Sequence, residues 1–210
     1  MKTFENIIFD LGGVIINLDY NRTAQAFIDL GLKNFNEIYS KAQQSHLFDD
    51  FEKGTMHPEN FRSELRKYLP SETTDEQIDQ AWNAMLLDIP VHRVEWLRKV
   101  GEKYRIFLLS NTNTIHVDAF TKKADSVYGK GEFECVFEKH YYSCQMGMRK
   151  PDAEIFERVL LENNLDKSKT LFIDDSIQHV EGAIRTGLHA ELLKLEEGEV
   201  VELKYLSLIS

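Results

Sequence analysis

The chain has 210 residues, 42% apolar and 29% charged, which suits one folded domain or a domain carrying an insertion and excludes a disordered segment. Its formal charge of −10 argues against a nucleic-acid or anionic-membrane binder, since both need a basic footprint. An anionic substrate stays compatible, because a metal ion or a local lysine can reverse the field at a site.

The first predicted element is a buried strand over residues 6–10, running into Leu11-Gly12-Gly13-Val14. A strand that ends in a lone carboxylate, Asp10, before a glycine pair presents that carboxylate where open α/β sheets hold their ligands. The glycines let backbone approach what binds there. From about residue 21 to 87 nothing alternates as a strand does, and helices are predicted over 21–30, 36–44, 58–68 and 74–87. Pro58 suits a first helical turn. Thr73 or Thr74 can cap the next helix, with Glu76 or Gln77 three residues on. Phe48, Phe51 and Phe61 are expected as the core of this block, and Ile89-Pro90 ends it.

The pattern then changes. Strands predicted over 105–110, roughly 135–141, 170–174 and 190–193 alternate with helical periodicity over 94–100, 152–164 and 176–187. Alternation of this kind implies a mostly parallel sheet covered on both faces. The expected fold is α/β: a Rossmann-like parallel sheet core with helices on both faces, formed by residues 1–18 and 91–210, interrupted by an all-helical cap over 19–90. Cys135 and Cys144 are too few for a disulfide framework or a zinc cluster, and read as reduced thiols. With no apolar leader and no run long enough to span a bilayer, a cytoplasmic protein without membrane contact is expected.

Four short motifs stand at strand ends or helix starts: Phe9-Asp10-Leu11-Gly12-Gly13-Val14, Leu108-Leu109-Ser110-Asn111, Arg149-Lys150-Pro151-Asp152 and Phe172-Ile173-Asp174-Asp175. In a parallel sheet these ends converge on one edge. The cleft there would gather three carboxylates, a hydroxyl, an amide and an ammonium. Clustered carboxylates repel unless a cation joins them. Oxygen donors with few nitrogen or sulfur partners point to Mg²⁺.

In the order and spacing of these motifs the chain resembles the haloacid dehalogenase superfamily of aspartate-nucleophile hydrolases, over about residues 4–20 and 102–193. The helical insertion resembles the small cap placed after the first motif in one branch. The first motif is closest to that of the bacterial FDLGNV-type phosphatases, which include the α-D-glucose-1-phosphate phosphatases. The resemblance implies that Asp10 attacks phosphorus and forms an aspartyl phosphate. It implies that Asp10, the Gly12 carbonyl and Asp175 bind Mg²⁺, with Asp174 ligating directly or through water. It implies that Ser110 and Asn111 hold the transferring phosphoryl group and that Lys150 neutralises charge on phosphate and nucleophile. Such a set suits phosphoryl transfer, which needs positioning and charge stabilisation above all.

One position departs from the family. Most phosphatases of the superfamily carry a second aspartate two residues after the nucleophile, serving as general acid and then base; here that residue is Gly12. Losing such help costs about 10²- to 10⁴-fold. A leaving group that needs little protonation, such as an anomeric oxygen, would tolerate the change. Asp19 or a cap residue could substitute, or the protein could be a weak or inactive hydrolase. The FDLGNV phosphatases share the glycine and are active, which favours the first two. The leading expectation is therefore a Mg²⁺-dependent phosphatase of a small phosphorylated metabolite, with sugar phosphates among the candidates, and monomer and homodimer both compatible. A 2-haloacid dehalogenase is the first alternative, against which the Asp174-Asp175 pair counts. A non-catalytic phosphometabolite-binding protein is the second.

Overall fold

The computed structural model of the chain describes residues 4–33, 35 and 46–209. Five parallel strands form one sheet: β1 (Asn6–Phe9), β2 (Arg105–Ser110), β3 (Lys139–Tyr142), β4 (Thr170–Asp174) and β5 (His189–Leu192), in the order β3-β2-β1-β4-β5. β1 is central, with Asn6 in register with Arg105 on one side and Thr170 on the other. The chain builds outward from β1 to β3, then crosses back to add β4 and β5 on the other side. The crevice at that reversal lies beyond the carboxyl ends of β1 and its neighbours, where a doubly wound sheet binds ligands.

Strand alternation divides the core in two. Ile7, Phe9, Leu108 and Ile173 point into a cluster with Val94, Leu97 and Phe120. Ile8, Phe107, Leu109 and Phe172 point the other way, against Ile155, Phe156, Val159 and Ala183. Helices thus cover both faces, as a parallel sheet requires.

Between β1 and β2 lie α1 (Tyr20–Asp29), α2 (Leu47–Glu52), α3 (Pro58–Arg66), α4 (Asp75–Asn83) and α5 (Val91–Gly101). The first four share a third apolar cluster, built on Phe27, Leu47, Phe51, Phe61, Ile78 and Trp82. Phe51 stacks on Phe61 with centroids 4.1 Å apart. Phe48 instead stacks on Trp82 at 5.5 Å at the edge of this core. Capping is by Thr74, whose hydroxyl accepts from the Gln77 amide while the Gln77 side chain accepts from Thr74 N–H. The chain enters and leaves the helical block through paired antiparallel segments. Asn17 and Leu87 bridge at 3.0 Å, and Asp19 N–H reaches the Met85 carbonyl at 3.0 Å.

Three longer helices follow, α6 (Thr114–Tyr128), α7 (Ala153–Glu162) and α8 (Ile177–Arg185), with four-residue helical turns at Ser143–Met146 and Val201–Lys204. Gly187 follows α8 in the left-handed region, as a C-terminal glycine does. Several boundaries differ from the sequence reading. The third strand is Lys139–Tyr142, not 135–141, because Glu134–Val136 forms a 3₁₀ turn that sends Phe133 and Phe137 into the core. The fifth strand starts one residue early, at His189. The predicted helix 74–87 ends at Asn83, since its last residues pair with the chain leaving β1. Helices α2 and α6 were not expected. α2 is too short to show a period, and α6 buries only Ile115, His116, Phe120 and Ala124 among polar neighbours. The predicted helix over 36–44 lies outside the described residues.

Candidate active site

Asp10 follows β1 directly, and its N–H pairs with the Ile173 carbonyl at 2.9 Å, so the carboxylate sits between β2 and β4 at the sheet's centre. Lys150 comes from the segment ahead of α7. Its ammonium is fully buried and uses all three of its donors, on Asp10 Oδ1 at 2.6 Å, Asp174 Oδ2 at 2.7 Å and the Leu109 carbonyl at 2.9 Å. An unpaired ammonium would not survive there; two carboxylates and a carbonyl hold it charged. Burial pulls its pKa down, but the charges of Asp10 and Asp174 outweigh that and leave it above the ordinary lysine range.

The carboxylates divide. Burial pushes Asp10 up to about 7 against the pull of Lys150, with Asp174 and Asp175 adding to the rise. Burial and the Asp174 charge push Asp175 up to about 6. Asp174 is held well below the carboxylate range: burial opposes ionisation, but Lys150 and His179 overcome it. The Asp174 carboxylate accepts from the Ser176 N–H at 2.8 Å and lies 3.0 Å from His179 Nδ1. His179, one turn into α8, carried no signal beyond its place three residues after the N-cap Ser176.

Oxygens of Asp10, Asp174 and Asp175 all lie within 4.8 Å of one another. Three carboxylates facing one ammonium leave an excess of negative charge, which adds to burial in raising Asp10 and Asp175. This donor set and charge fit a hard divalent cation such as Mg²⁺. The backbone beside it is shaped to match. Gly13 has φ +72°, and a Cβ there would stand 2.3 Å from Asp175 Oδ2, so a side chain at this position would displace the carboxylate. The turn itself is pinned by Arg93 of α5, which is buried, bonds the Ile15 carbonyl at 3.0 Å and is held in turn by Glu202 at 2.8 Å. Gly12 lies at the head of this turn and lines a cavity above it.

Ser110 ends β2 and is buried next to the site. Asn111 does something the sequence did not show. Its Oδ1 accepts from Lys150 N–H and its Nδ2 donates to the Lys150 carbonyl, both at 2.9 Å. The amide therefore clamps the lysine's backbone in place. Asp19 caps α1, accepting from Asn21 N–H at 3.1 Å, and is not among the residues that line the cavity.

That cavity, about 130 Å³, lies between the carboxyl end of the sheet and the helical block. Leu11, Gly12, Ser110 and Asn111 line it from the sheet side, and Phe48, Glu52, Trp82 and Met85 from the helices. A larger depression of about 670 Å³ opens at the opposite, amino-terminal ends of the strands. The charges there pair among themselves, Arg105 with Glu138 and Lys169 with Glu5, and it holds none of the clustered groups above.

A family model, haloacid dehalogenase-like hydrolase, matches residues 4–187. The chain belongs to the haloacid dehalogenase-like hydrolases. Among these hydrolases it is 32% identical, over 176 residues, to the D-ribitol-5-phosphate phosphatase of Bacteroides thetaiotaomicron, covering 84% of this chain and 85% of that protein. A solved HAD family enzyme from the same organism superposes with a TM-score of 0.89 at 38% identity, covering 97% of this chain and 99% of that one. Its wild-type complex with magnesium and inorganic phosphate gives a TM-score of 0.84 at 39% identity, over 91% of this chain and 94% of that one.

Proposed function

We propose that this hydrolase is a Mg²⁺-dependent phosphatase of a small phosphorylated metabolite, with a sugar or sugar-alcohol phosphate as the substrate class. The observation that carries the reading is the arrangement around Lys150, whose ammonium bridges Asp10 and Asp174 beside a third carboxylate, Asp175. A solved relative is a complex with magnesium and inorganic phosphate, and a D-ribitol-5-phosphate phosphatase is among the relatives.

In this reading Asp10 is the nucleophile. Lys150 fixes its orientation and favours its ionised form by a direct hydrogen bond. Ser110 binds the transferring phosphoryl group, and Asn111 contributes by holding Lys150. Asp10, the Gly12 carbonyl, Asp174 and Asp175 are the residues that would hold Mg²⁺. When bound, the ion offsets the repulsion between an anionic nucleophile and an anionic ester. The covalent route splits one difficult displacement into two easier ones. Residues 19–90 are the cap and 1–18 with 91–210 the core, so the cap wall of the cavity discriminates between substrates.

Phosphate release from an aryl phosphate and from a panel of sugar and sugar-alcohol phosphates, measured with Mg²⁺ and with EDTA, tests the reading. Turnover that needs the metal is expected. Full activity in the chelator, or halide release from 2-chloropropionate with no phosphatase activity, would overturn it. Among the described residues no helix is long and apolar enough to cross a membrane.

A further inference from the structure

Resting on the phosphatase reading, one chemical requirement is unmet by the sheet side of the site. Breaking the ester bond leaves an electron pair on the leaving oxygen, and an alkoxide needs a proton. Gly12 stands where an acid would be, and it has no proton to give. Among the described residues that line the cavity, three side chains titrate: Tyr20, Glu52 and His116. Tyr20 lies at the rim, 65% exposed. His116 is buried with both ring nitrogens engaged, Nε2 at 3.2 Å from the Trp82 carbonyl and Nδ1 at 3.1 Å from the Asn113 amide. Glu52 is left.

Glu52 is the last residue of α2, and its position is fixed from the core side. The Ser143 hydroxyl lies 2.6 Å from the Glu52 carbonyl and also accepts from Thr112 N–H, two residues past Ser110. Two residues on, Gly54 has φ +69°, and a Cβ there would fall 2.0 Å from the Cys144 carbonyl oxygen. Only glycine lets the chain dock this closely. Arg149 Nη2 lies 2.9 Å from Glu52 Oε2, and its Nη1 pairs with Asp49 on the same helix. Oε2 is sealed from solvent and meets the guanidinium as an ion pair without hydrogen-bond geometry, so the 28% exposure of the side chain lies elsewhere on it. A carboxylate thus stands in the wall of the cavity that Gly12 also lines, tied on the core side by an ion pair at one oxygen.

We propose that Glu52 is the general acid and then the general base of this phosphatase, delivered by the helical block in place of the acid that Gly12 lacks. Burial holds its carboxyl above the ordinary range although Arg149 pulls it down; Asp49 adds to the rise, and His179 and Lys150 oppose it more weakly. In the first step Asp10 attacks phosphorus, the bond from phosphorus to the leaving oxygen breaks, and that oxygen takes the Glu52 proton and departs as the alcohol. In the second, water attacks the aspartyl phosphate and gives a proton to the Glu52 carboxylate. The bond from phosphorus to Asp10 breaks, its electrons return to the Asp10 carboxylate, and inorganic phosphate leaves. Both residues end as they began.

The test is leaving-group dependence. p-Nitrophenolate departs without a proton, whereas the alkoxide of a sugar-alcohol phosphate does not. In Glu52→Gln, kcat/KM for the alkyl ester is expected to fall by about 10²- to 10⁴-fold while kcat/KM for p-nitrophenyl phosphate stays within about 3-fold. Retained aryl kcat/KM also reports a folded site. Where Glu52→Gln does not fold, Glu52→Asp carries the same comparison, and a selective alkyl loss is expected again. Equal losses on the two esters, or no loss on either, would overturn the assignment. Wild-type protein that releases phosphate from neither ester would instead overturn the phosphatase reading itself.

Discussion

Lys150 and Arg149 are neighbours in the chain and look opposite ways. Lys150 turns into the sheet, fully buried, and each of its donors meets an acceptor placed by a strand: Asp10 after β1, Leu109 in β2 and Asp174 in β4. Arg149 turns outward to Asp49 and Glu52 on α2. The first set is assembled by sheet topology, which brings distant strand ends together whatever the sequence between them. The second is assembled by the packing of a six-residue helix, held by Ser143 and a glycine contact. The sheet side holds the clustered charges to which the attack is assigned under the proposed function, and the helical side supplies the walls and a carboxylate.

The comparison breaks first at Asp10, the proposed nucleophile. Asp10→Asn should reduce phosphate release by on the order of 10⁴ or more, as removal of a nucleophile does in other covalent hydrolases. Its urea midpoint should hold or rise, because one of three clustered negative charges is gone. Substantial residual turnover would place the attacking group elsewhere. Lys150→Met tests the same side by stability. Removing a fully buried ammonium leaves its carboxylates uncompensated, which costs about 3–5 kcal/mol in urea unfolding. A loss below about 1 kcal/mol, the range of exposed pairs, would mean that the three hydrogen bonds do not hold the site together.

These two residues were also the legible ones. Asp10, Ser110, Lys150 and Asp174-Asp175 each stand in a short motif at a strand end or helix start, and a parallel sheet converts those positions into neighbours. Glu52 stands in no such place. It ends a helix too short to show periodicity, and its approach to the site depends on Gly54 meeting Cys144, a contact between residues 90 apart with no pattern in common. Asn111 shows a subtler gap. The family resemblance implies that it holds phosphate, and its side chain is engaged with the Lys150 backbone at both ends. Residue type announced a polar contact; only three-dimensional packing says with what. The third strand was misplaced for a similar reason, since Cys135-Val136-Phe137 is apolar enough for a strand but turns to fill the core.

The seam between the two regions has its own test. His116, on α6, stacks on Trp82 of α4 with centroids 5.2 Å apart and bonds its carbonyl, joining sheet side to helical side. Burial holds its pKa down at about 4, so the folded protein keeps it neutral while the unfolded chain takes a proton near pH 6.5. The contribution is therefore fully present above about pH 6.5 and is lost progressively as pH falls to about 4, on the order of 3 kcal/mol in all. Urea unfolding across that window should show the slope, and His116→Gln should flatten it. An unchanged slope in the variant would assign the acid sensitivity to other groups.

The smallest effect is the most discriminating about the helical block. Thr74 caps α4 by a reciprocal pair, its hydroxyl accepting from Gln77 N–H at 3.3 Å and its own N–H donating to Gln77 Oε1 at 2.8 Å. α4 carries Trp82 to the cavity at its far end, two turns away. Thr74→Ala loses one of the two bonds and should lower stability by about 1 kcal/mol. If α4 is a rigid support whose packing on Phe61 and His116 sets the place of Trp82, kcat/KM for a sugar-alcohol phosphate should not change, because fraying the first turn leaves those contacts intact. A fall in kcat/KM for the sugar-alcohol ester that is absent for p-nitrophenyl phosphate would show the opposite: that the cavity wall is tuned along the whole helix, and that substrate choice is sensitive to a cap with no contact to the site.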